Sequence, residues 1–352
     1  MGRFAATPDA LSLHTRTPTA LEPTLNGLDV GRAEVEDIES TLAVLAGRLQ
    51  ADPPLRLRFD NSWPRTGPGP ALLAGALMGS FDDYPLDVDA ADDAAVAGMR
   101  WFGVAAALQR RRGDNRYCRA ASKLDDRALG VTWRPGISAL TELLFAETDQ
   151  GEQGSVGPRH ANFVNAHLAV TSSGTSDVTY LVRRWLTRRL LERFAEDLHG
   201  LRRTVDQVGT VVEQLVSNVR EHAAAGLPSG ADSLLRLALL DHPGRGAVSC
   251  SVIDTGPGIE ATLVPKLSAQ DRDRERASVL GALCQGQLRG WGRARGLGLA
   301  KVTELVREAG GQLDVATEQR RVRVRDGQLV TETASFSLRG TVVSLTFPLP
   351  QA

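Results

Sequence analysis

Asp254, Gly256 and Gly258 are the first residues whose types and spacing indicate chemistry. They follow the run from Val248 to Ile253, which is rich in β-branched residues and predicts a buried strand. At the exit of this strand, the carboxylate of Asp254 can accept a hydrogen bond from a ligand. The glycines carry no Cβ, so a flat ligand can approach their backbone. The pattern predicts a ligand site, although a plain strand and turn would use the same residues.

A second group lies upstream on a predicted amphipathic helix. Its apolar stripe consists of Val205, Val208, Val212, Leu215 and Val219. Asn218 lies close to this stripe, and a buried amide without a partner would cost on the order of 1–3 kcal/mol. We therefore expect the amide of Asn218 to have a partner. His222 follows four residues later on the same face of the helix.

The third group is Gly296-Leu297-Gly298, which opens another predicted helix. Free backbone N–H groups and the helix dipole attract anions at such a position, and Arg293 and Arg295 flank it. No Gly-Lys-Ser/Thr follows, as it would in a Walker loop, and no strand leads directly into the glycines, as it would in a dinucleotide-binding fold. We therefore predict a phosphate site of another kind.

In this order the three groups resemble the GHKL family of ATP-binding domains, which includes gyrase B, heat-shock chaperones, histidine kinases and mismatch-repair proteins. The resemblance covers the chain from about Arg202 to Pro350. The closing run from Gly340 to Pro348 looks like the last strand of histidine-kinase-type ATPase domains. The resemblance implies an α/β (α+β) fold, a two-layer sandwich with a mixed sheet, and the cofactors ATP and Mg²⁺.

The resemblance also assigns roles to residues. Asp254 would accept a hydrogen bond from the adenine amino group, and Gly256 and Gly258 would pass beneath the base. Asn218 would give an oxygen to Mg²⁺, which keeps several waters and needs few protein ligands. The other implied nucleotide contacts are His222, Arg295, Gly296, Leu297 and Gly298. For His222, whose spacing resembles that of anti-sigma-factor kinases, a packed histidine at the helix end is the alternative.

Gln214 departs from the family pattern. ATP-hydrolysing members have Glu four residues before the Asn, where it acts as the base towards water. An amide can orient water but cannot take its proton. Glu213 is adjacent, yet one residue along a helix turns a side chain by about 100°. Gln214 and Glu213 are the catalytic candidates, slow hydrolysis is expected, and the choice between an ATPase and a protein (serine) kinase stays open.

The elements that must position these groups are predicted from periodicity and turn signals. In the last half of the chain they are two helices ending near residues 194 and 222, strands at 234–240 and 247–253, a lid at 261–288 with a helix at 277–284, a helix at 299–309, and strands at 312–317, 322–325, 329–333 and 341–347. Asp326-Gly327 lies between two of these strands and predicts a hairpin.

The chain is predicted to have three parts. Residues 1–30 are rich in Thr, Pro and Ala and predict a flexible arm. Residues 31–175 predict a smaller α/β domain of unknown role, whose order is similar to a STAS-type module. Its predicted elements are helices at 35–49, 71–78 and 92–108 and strands at 55–59, 84–88 and 162–171. Residues 176–352 are assigned to the ATP-binding domain.

Composition narrows the function classes. The 352 residues suggest two domains, and the net charge of -1 gives no case for a nucleic-acid or membrane partner. The three cysteines are far apart and form no C-x-x-C, so we expect a reducing cytoplasm rather than disulfides or zinc. No apolar run approaches the roughly 18 residues of a membrane helix.

Together these observations predict a cytoplasmic regulatory protein that binds Mg-ATP. It would act as an anti-sigma-factor-type protein kinase or as a nucleotide-driven switch, with a protein partner for the N-terminal domain and a homodimer as an open alternative. A histidine-kinase-like protein is less favoured, because His199 lies too close to Asn218 for a separate helical hairpin. A nucleotide-independent interaction module with a degenerate GHKL fold is the other alternative.

Overall fold

The computed structural model describes residues 11–17, 20–25, 42, 55–59, 68–80, 86–90, 104, 107–108, 118–120, 163–169, 175–191, 197–223, 232–240, 246–267, 279–288 and 297–349. Contacts divide the chain into two units. The first consists of Met1–Trp133 with Ala334–Arg339, and the second of Arg134–Thr333 with Gly340–Ala352. Within the described residues, no helix is both long enough and apolar enough to cross a membrane.

The first unit contains a five-stranded sheet. Its strands are β1 (Leu11–Thr17), β2 (Ala20–Leu25), β3 (Leu55–Phe59), β4 (Leu86–Ala90) and β5 (Cys118–Ala120), in that order across the sheet. β1 and β2 are antiparallel, and the pairs β2–β3, β3–β4 and β4–β5 are parallel. Helix α1 (Gly69–Met78) connects β3 to β4, as a parallel pair requires. Every residue of α1 is buried, which fits its nearly uniform apolar sequence.

These elements confirm the strand predicted at 55–59 and the helix at 71–78, and they place the strand predicted at 84–88 two residues later. Residues 42, 104, 107 and 108 are helical, and the rest of the helices predicted at 35–49 and 92–108 lies outside the described residues.

The prediction that residues 1–30 form a flexible arm is wrong for its central part, because β1 and β2 pair there. The Thr- and Pro-rich composition suggested a loose segment, but apolar and polar residues alternate from Leu11 to His14, which is the period of a strand. β2 also pairs with β3, so the sheet supplies hydrogen bonds that a composition-based argument does not consider.

The second unit contains a sheet with the strand order β6-β7-β8-β10-β9, apart from Ala334–Arg339 of β10, which belong to the first unit. The strands are β6 (Phe163–Ala169), β7 (Asp232–Leu240), β8 (Ala247–Asp254), β9 (Gln312–Arg325) and β10 (Gln328–Pro348). The pairs β6–β7, β7–β8 and β8–β10 are antiparallel, which differs from the mixed sheet that we expected. Only residues 241–246 separate β7 from β8 and only residues 326–327 separate β9 from β10, and connections this short produce antiparallel pairs.

Helices pack on one face of this sheet. They are α2 (Thr175–Leu191), α3 (Leu198–Asn218) with a π-turn (Val219–Ala223), α4 (Ile259–Leu263) with a 3₁₀ turn (Val264–Lys266), α5 (Val279–Cys284) and α6 (Leu297–Glu308). Apolar side chains of the helices and of β7, β8, β9 and β10 form one buried cluster. The second unit is therefore the two-layer α/β sandwich that was predicted. Residues 268–278 of the predicted lid lie outside the described residues.

The position of β6 bears on the domain boundary. We expected the ATP-binding domain to begin at residue 176, but β6 ends at Ala169 and pairs with β7 of the second sheet. The sequence predicts the strand at 162–171 but not its pairing with β7. An alternating apolar pattern shows that a segment is a strand but does not show which sheet it joins.

Helix α3 is the element that carries Asn218. Its N-terminus is capped by Asp197, whose carboxylate accepts a hydrogen bond of 2.8 Å from the N–H of Gly200. The predicted apolar stripe is buried, and α2 packs beside it. Because the stripe fixes the rotation of α3 against the sheet, the polar residues at its C-terminal end face a defined direction.

The β9–β10 hairpin confirms the turn predicted at Asp326-Gly327, where both residues have positive φ angles of 50° and 72°. The four short strands predicted between 312 and 347 merge into two long strands. The register of β10 against β8 places Thr341 opposite Asp254. This register brings a hydroxyl from the end of the chain next to the carboxylate of the first motif.

A buried ion-pair network lies within the hairpin. The guanidinium of Arg321 donates to both carboxylate oxygens of Asp314, at 2.7 to 3.0 Å, and its side chain is 1% exposed. Arg323 lies 3.7 Å from Asp314 and 2.8 Å from Glu332. Bidentate contacts of this kind are directional, so they fix the side chains relative to one another.

Candidate functional site

A pocket of about 750 Å³, including its part open to solvent, lies in the second unit. Its polar lining residues are Asn218, His222, Asp254, Thr262 and Thr341, and its apolar lining includes Leu215, Val252, Ile259, Leu283, Leu299 and Val343. Apolar walls with a few convergent polar groups are typical of sites for small organic ligands. The pocket is therefore the candidate functional site.

Asp254 ends β8 and is the carboxylate of this pocket. One of its oxygens accepts a hydrogen bond of 2.9 Å from the N–H of Gly256, and Thr341 donates to the carboxylate from both its N–H and its hydroxyl. Burial raises the pKa of Asp254 to about 6, although these hydrogen bonds act in the opposite direction. At neutral pH the group is mainly ionised and is a strong acceptor.

Asn218 and Gly298 meet at the other side of the pocket. A Cβ on Gly298 would lie 2.9 Å from Oδ1 and 3.1 Å from Nδ2 of Asn218. The amide therefore packs against the first turn of α6, where backbone N–H groups have no partner within the helix. This contact joins the second and third motifs of the sequence.

The π-turn from Val219 to Ala223 continues α3 past Asn218. It carries His222, which lines the pocket with Asn218. A Cβ on Gly256 would lie 2.6 Å from Cα of Ala223, so the turn after β8 packs directly on the π-turn. π-turns within helices are frequent at functional sites, and this one brings the first and second motifs into contact.

Five of the predicted nucleotide-contact residues are thus gathered around one pocket. Asn218, His222, Asp254, Gly258 and Gly298 line it, and Gly256 binds the carboxylate of Asp254. Leu297 begins α6, but its side chain is outside the described part of the structure, as are Arg293, Arg295 and Gly296.

The catalytic candidates have a different position. Glu213 and Gln214 lie on α3 about one turn before Asn218, and their side chains are partly buried. Neither belongs to the residues that line the pocket. Among those lining residues, Asp254 is the carboxylate, and it is already bound by Gly256 and Thr341.

Sequence reasoning missed two polar residues of the site. Thr341 was assigned to the last strand without a role, and Thr262 was assigned to the lid. The direct succession of Gly340 and Thr341 was a usable signal, since glycine beside a motif often marks close approach of two backbones. Thr262 gives no such signal, because its position depends on the fold of α4.

Residues 204–351 match the family model described as "Histidine kinase-, DNA gyrase B-, and HSP90-like ATPase". A search of the curated proteins found no match. The matched range contains α3 from its first turns onward, the π-turn, and every pocket-lining element that follows. This result confirms the resemblance that the three motifs predicted.

Proposed function

Residues 204–351 form a GHKL-type ATP-binding domain, and on this premise we propose that the chain binds Mg-ATP around Asp254 and acts as a regulatory protein kinase of the anti-sigma-factor type. The observation that carries the proposal is the convergence of Asp254, Asn218 and Gly298 on one pocket. Each comes from a different motif, and each supplies what a different part of the nucleotide needs.

The adenine end of the pocket is defined by Asp254. A buried carboxylate accepts a hydrogen bond from an amino group, which adenine has and guanine replaces with a carbonyl oxygen that is itself an acceptor. Two buried side chains, Val252 and Val343, provide apolar surface next to the carboxylate. A flat base is well suited to such a surface, because its faces are apolar and its edge is polar.

The phosphate end is defined by Asn218 and the N-terminus of α6. The helix has 12 residues, and its first N–H groups favour anions. The amide oxygen of Asn218 is a ligand that suits Mg²⁺. Within the described residues there is no cluster of three acidic, His or Cys side chains that would hold a metal by itself. This donor set fits an ion held by one amide, the phosphates and water, which when bound would neutralise phosphate charge.

The lining of the pocket supports transfer or binding of phosphate over rapid hydrolysis. A base that activates water needs a free carboxylate or a similar group near the terminal phosphate. Asp254 is engaged at the adenine end of the pocket, and the amide of Gln214 cannot take a proton from water. His222 lines the pocket, and its spacing from Asn218 resembles that of anti-sigma-factor kinases, which favours a kinase. A nucleotide-driven switch is the second candidate, supported by the same slow chemistry. In either case the first unit would carry the protein partner.

The proposal is tested by calorimetry with ATP and ADP, with and without Mg²⁺, followed by phosphate release on the same sample. We expect Mg-dependent ATP binding with negligible release, and loss of binding in Asp254→Asn. Incubation with labelled ATP and candidate antagonist proteins then separates the kinase from the switch, because only the kinase labels a serine. Absence of nucleotide binding by the unmodified chain would refute the proposal.

A further inference from the structure

Strand β9 changes direction at Glu318, next to the pocket but outside its lining. Glu318 has a φ of 51°, in the left-handed region that residues other than glycine rarely adopt. Thr317 precedes it and is completely buried. A backbone in this conformation persists only where its surroundings fix it, and the contacts of Thr317 and Glu318 show how this is done.

The two side chains bind the first turn of α4. The carboxylate of Glu318 accepts a hydrogen bond of 2.8 Å from the N–H of Ala261 and another from the N–H of Glu260. The hydroxyl of Thr317 accepts a hydrogen bond of 3.0 Å from the N–H of Ile259. The first N–H groups of a helix have no partner within it, and here a strand distant in sequence supplies the acceptors.

Thr317 also reaches a second wall of the pocket. Its hydroxyl donates a hydrogen bond of 3.0 Å to the carbonyl oxygen of Gly340, directly before Thr341. Ile259 and Thr341 both line the pocket. One buried hydroxyl thus connects the wall formed by α4 to the wall formed by β10, and it does so from behind the site.

The turn that leads into α4 fits closely over the carboxylate. Gly258 lines the pocket with a φ of 94°, and a Cβ there would lie 2.9 Å from Oε1 of Glu318. Movement of Glu318 would therefore release Gly258 as well as the N–H groups of α4. Three lining residues of this segment, Ile259, Thr262 and Leu263, follow within one helical turn or little more.

The carboxylate of Glu318 is retained at a cost. Its Oε2 atom is buried and has no hydrogen-bond partner in the described part of the chain. Burial raises the pKa of Glu318, and the N–H groups of Ala261 and Glu260 oppose this effect. Glu260 adds a second negative charge nearby, which Arg320 offsets at 3.6 Å. An acid in this environment is better explained by what it holds than by a contribution to stability.

We propose that Thr317 and Glu318 are positioning residues for the nucleotide pocket, which set the place of α4 relative to β10 without touching the ligand. This inference rests on the proposed function, since it concerns the affinity of the same pocket. It predicts that removing the carboxylate of Glu318 loosens Gly258 to Leu263 and weakens nucleotide binding, while the strands of the sheet are unchanged.

The experiment compares Glu318→Ala, Glu318→Gln, Thr317→Val and the control Gln319→Ala, an exposed neighbour on the same strand. Mg-ATP affinity is measured by calorimetry, and hydrogen exchange is measured across residues 256–263. We expect Glu318→Ala to weaken Mg-ATP binding about tenfold, because α4 must then be ordered when the nucleotide binds. Exchange at residues 259–261 should rise in the same variant. Thr317→Val should act alike, and the control should match the unmodified chain.

Glu318→Gln keeps an oxygen that can accept from both N–H groups, so it should restore most of the affinity and the protection. A uniform rise in exchange with no rescue by Gln would show a general loss of stability and would overturn the inference, as would unchanged affinity in Glu318→Ala. If the unmodified chain binds no nucleotide, the proposed function fails first, which the same titration shows directly.

Discussion

The amide of Asn218 occupies the space that a side chain at residue 298 would need, with Oδ1 only 2.9 Å from the position of a Cβ there. Two motifs that are separate in the sequence thus share one small volume at the phosphate end of the pocket. The glycine at 298 is needed for this contact rather than for an unusual backbone conformation. Substitution of Gly298 therefore tests whether this contact belongs to the nucleotide site.

Gly298→Ala should weaken Mg-ATP binding by tenfold or more, because the new methyl group displaces the amide of Asn218. The same change within a helix normally stabilises by about 0.5–1 kcal/mol, so the variant should not unfold more easily. Calorimetry and urea unfolding measure the two effects. Glu308→Ala, an exposed change in the same helix, is the control. Unaltered affinity in Gly298→Ala would refute the role of Asn218 in binding Mg-ATP.

Asp254→Asn should make the folded chain more stable at pH 8. The folded-state pKa of about 6 lies above the usual value of 3.8, so the folded state binds the proton more tightly than the unfolded state. The carboxylate therefore costs stability above pH 6, and this cost disappears as the pH falls from 6 towards 3.8. A shift of this size corresponds to about 3 kcal/mol, which weaker hydrogen bonds to Asn would reduce.

Urea unfolding of the unmodified chain and of Asp254→Asn, between pH 4 and pH 8, measures this difference. We expect the stability gap between the two proteins to open as the pH rises and to level off above pH 6. A gap that does not vary with pH would mean that Asp254 has an ordinary pKa in the folded state.

Gln214→Glu should increase phosphate release from ATP by about tenfold or more, because a carboxylate can take the proton of the attacking water. The position lies about one turn before Asn218 on α3. Glu213→Gln, which removes the neighbouring carboxylate, should leave the slow basal rate unchanged. The reverse result, with loss of activity in Glu213→Gln, would assign the base to Glu213.

Asp314→Ala should lower the free energy of unfolding by about 3–5 kcal/mol, because it removes the bidentate carboxylate that binds the buried guanidinium of Arg321. Glu304→Ala removes an exposed ion pair to Lys301 and should cost less than about 1 kcal/mol. Chemical unfolding of both variants provides the comparison. Equal losses would mean that the network of Asp314 is accessible to water in the folded chain.

Most residues that gather around the pocket could be predicted from the sequence because each motif is local. Asp254 and its glycines, or Asn218 on its stripe, can be recognised within a dozen residues. Gly340 beside Thr341 signals a close approach of two backbones, but the partner of Thr341 depends on the register between β8 and β10, which no local pattern encodes. The same limit applies to Glu318, whose partners lie on α4, far away in the chain.

The first unit illustrates a second limit. The sequence predicts β3 from its alternating pattern and α1 from its apolar run, whereas the Thr- and Pro-rich composition of residues 1–30 predicts an arm where β1 and β2 form. The strand conformation of β1 and β2 depends on pairing with neighbouring strands. For β6, only the pairing with β7 shows which sheet the strand joins. Composition describes a segment alone, and these segments are defined by what they pair with.

The pairing of Asp254 with Thr341 has a consequence for kinetics. The two residues lie on strands that are distant in the chain, so the pocket is complete only after β10 has joined β8. Such long-range pairing forms late when a chain folds, because the entropy of closing the intervening loop is lost first. A nucleotide that needs both residues can stabilise the native state but not the structures that precede this step. It should therefore slow unfolding and leave the folding rate unchanged.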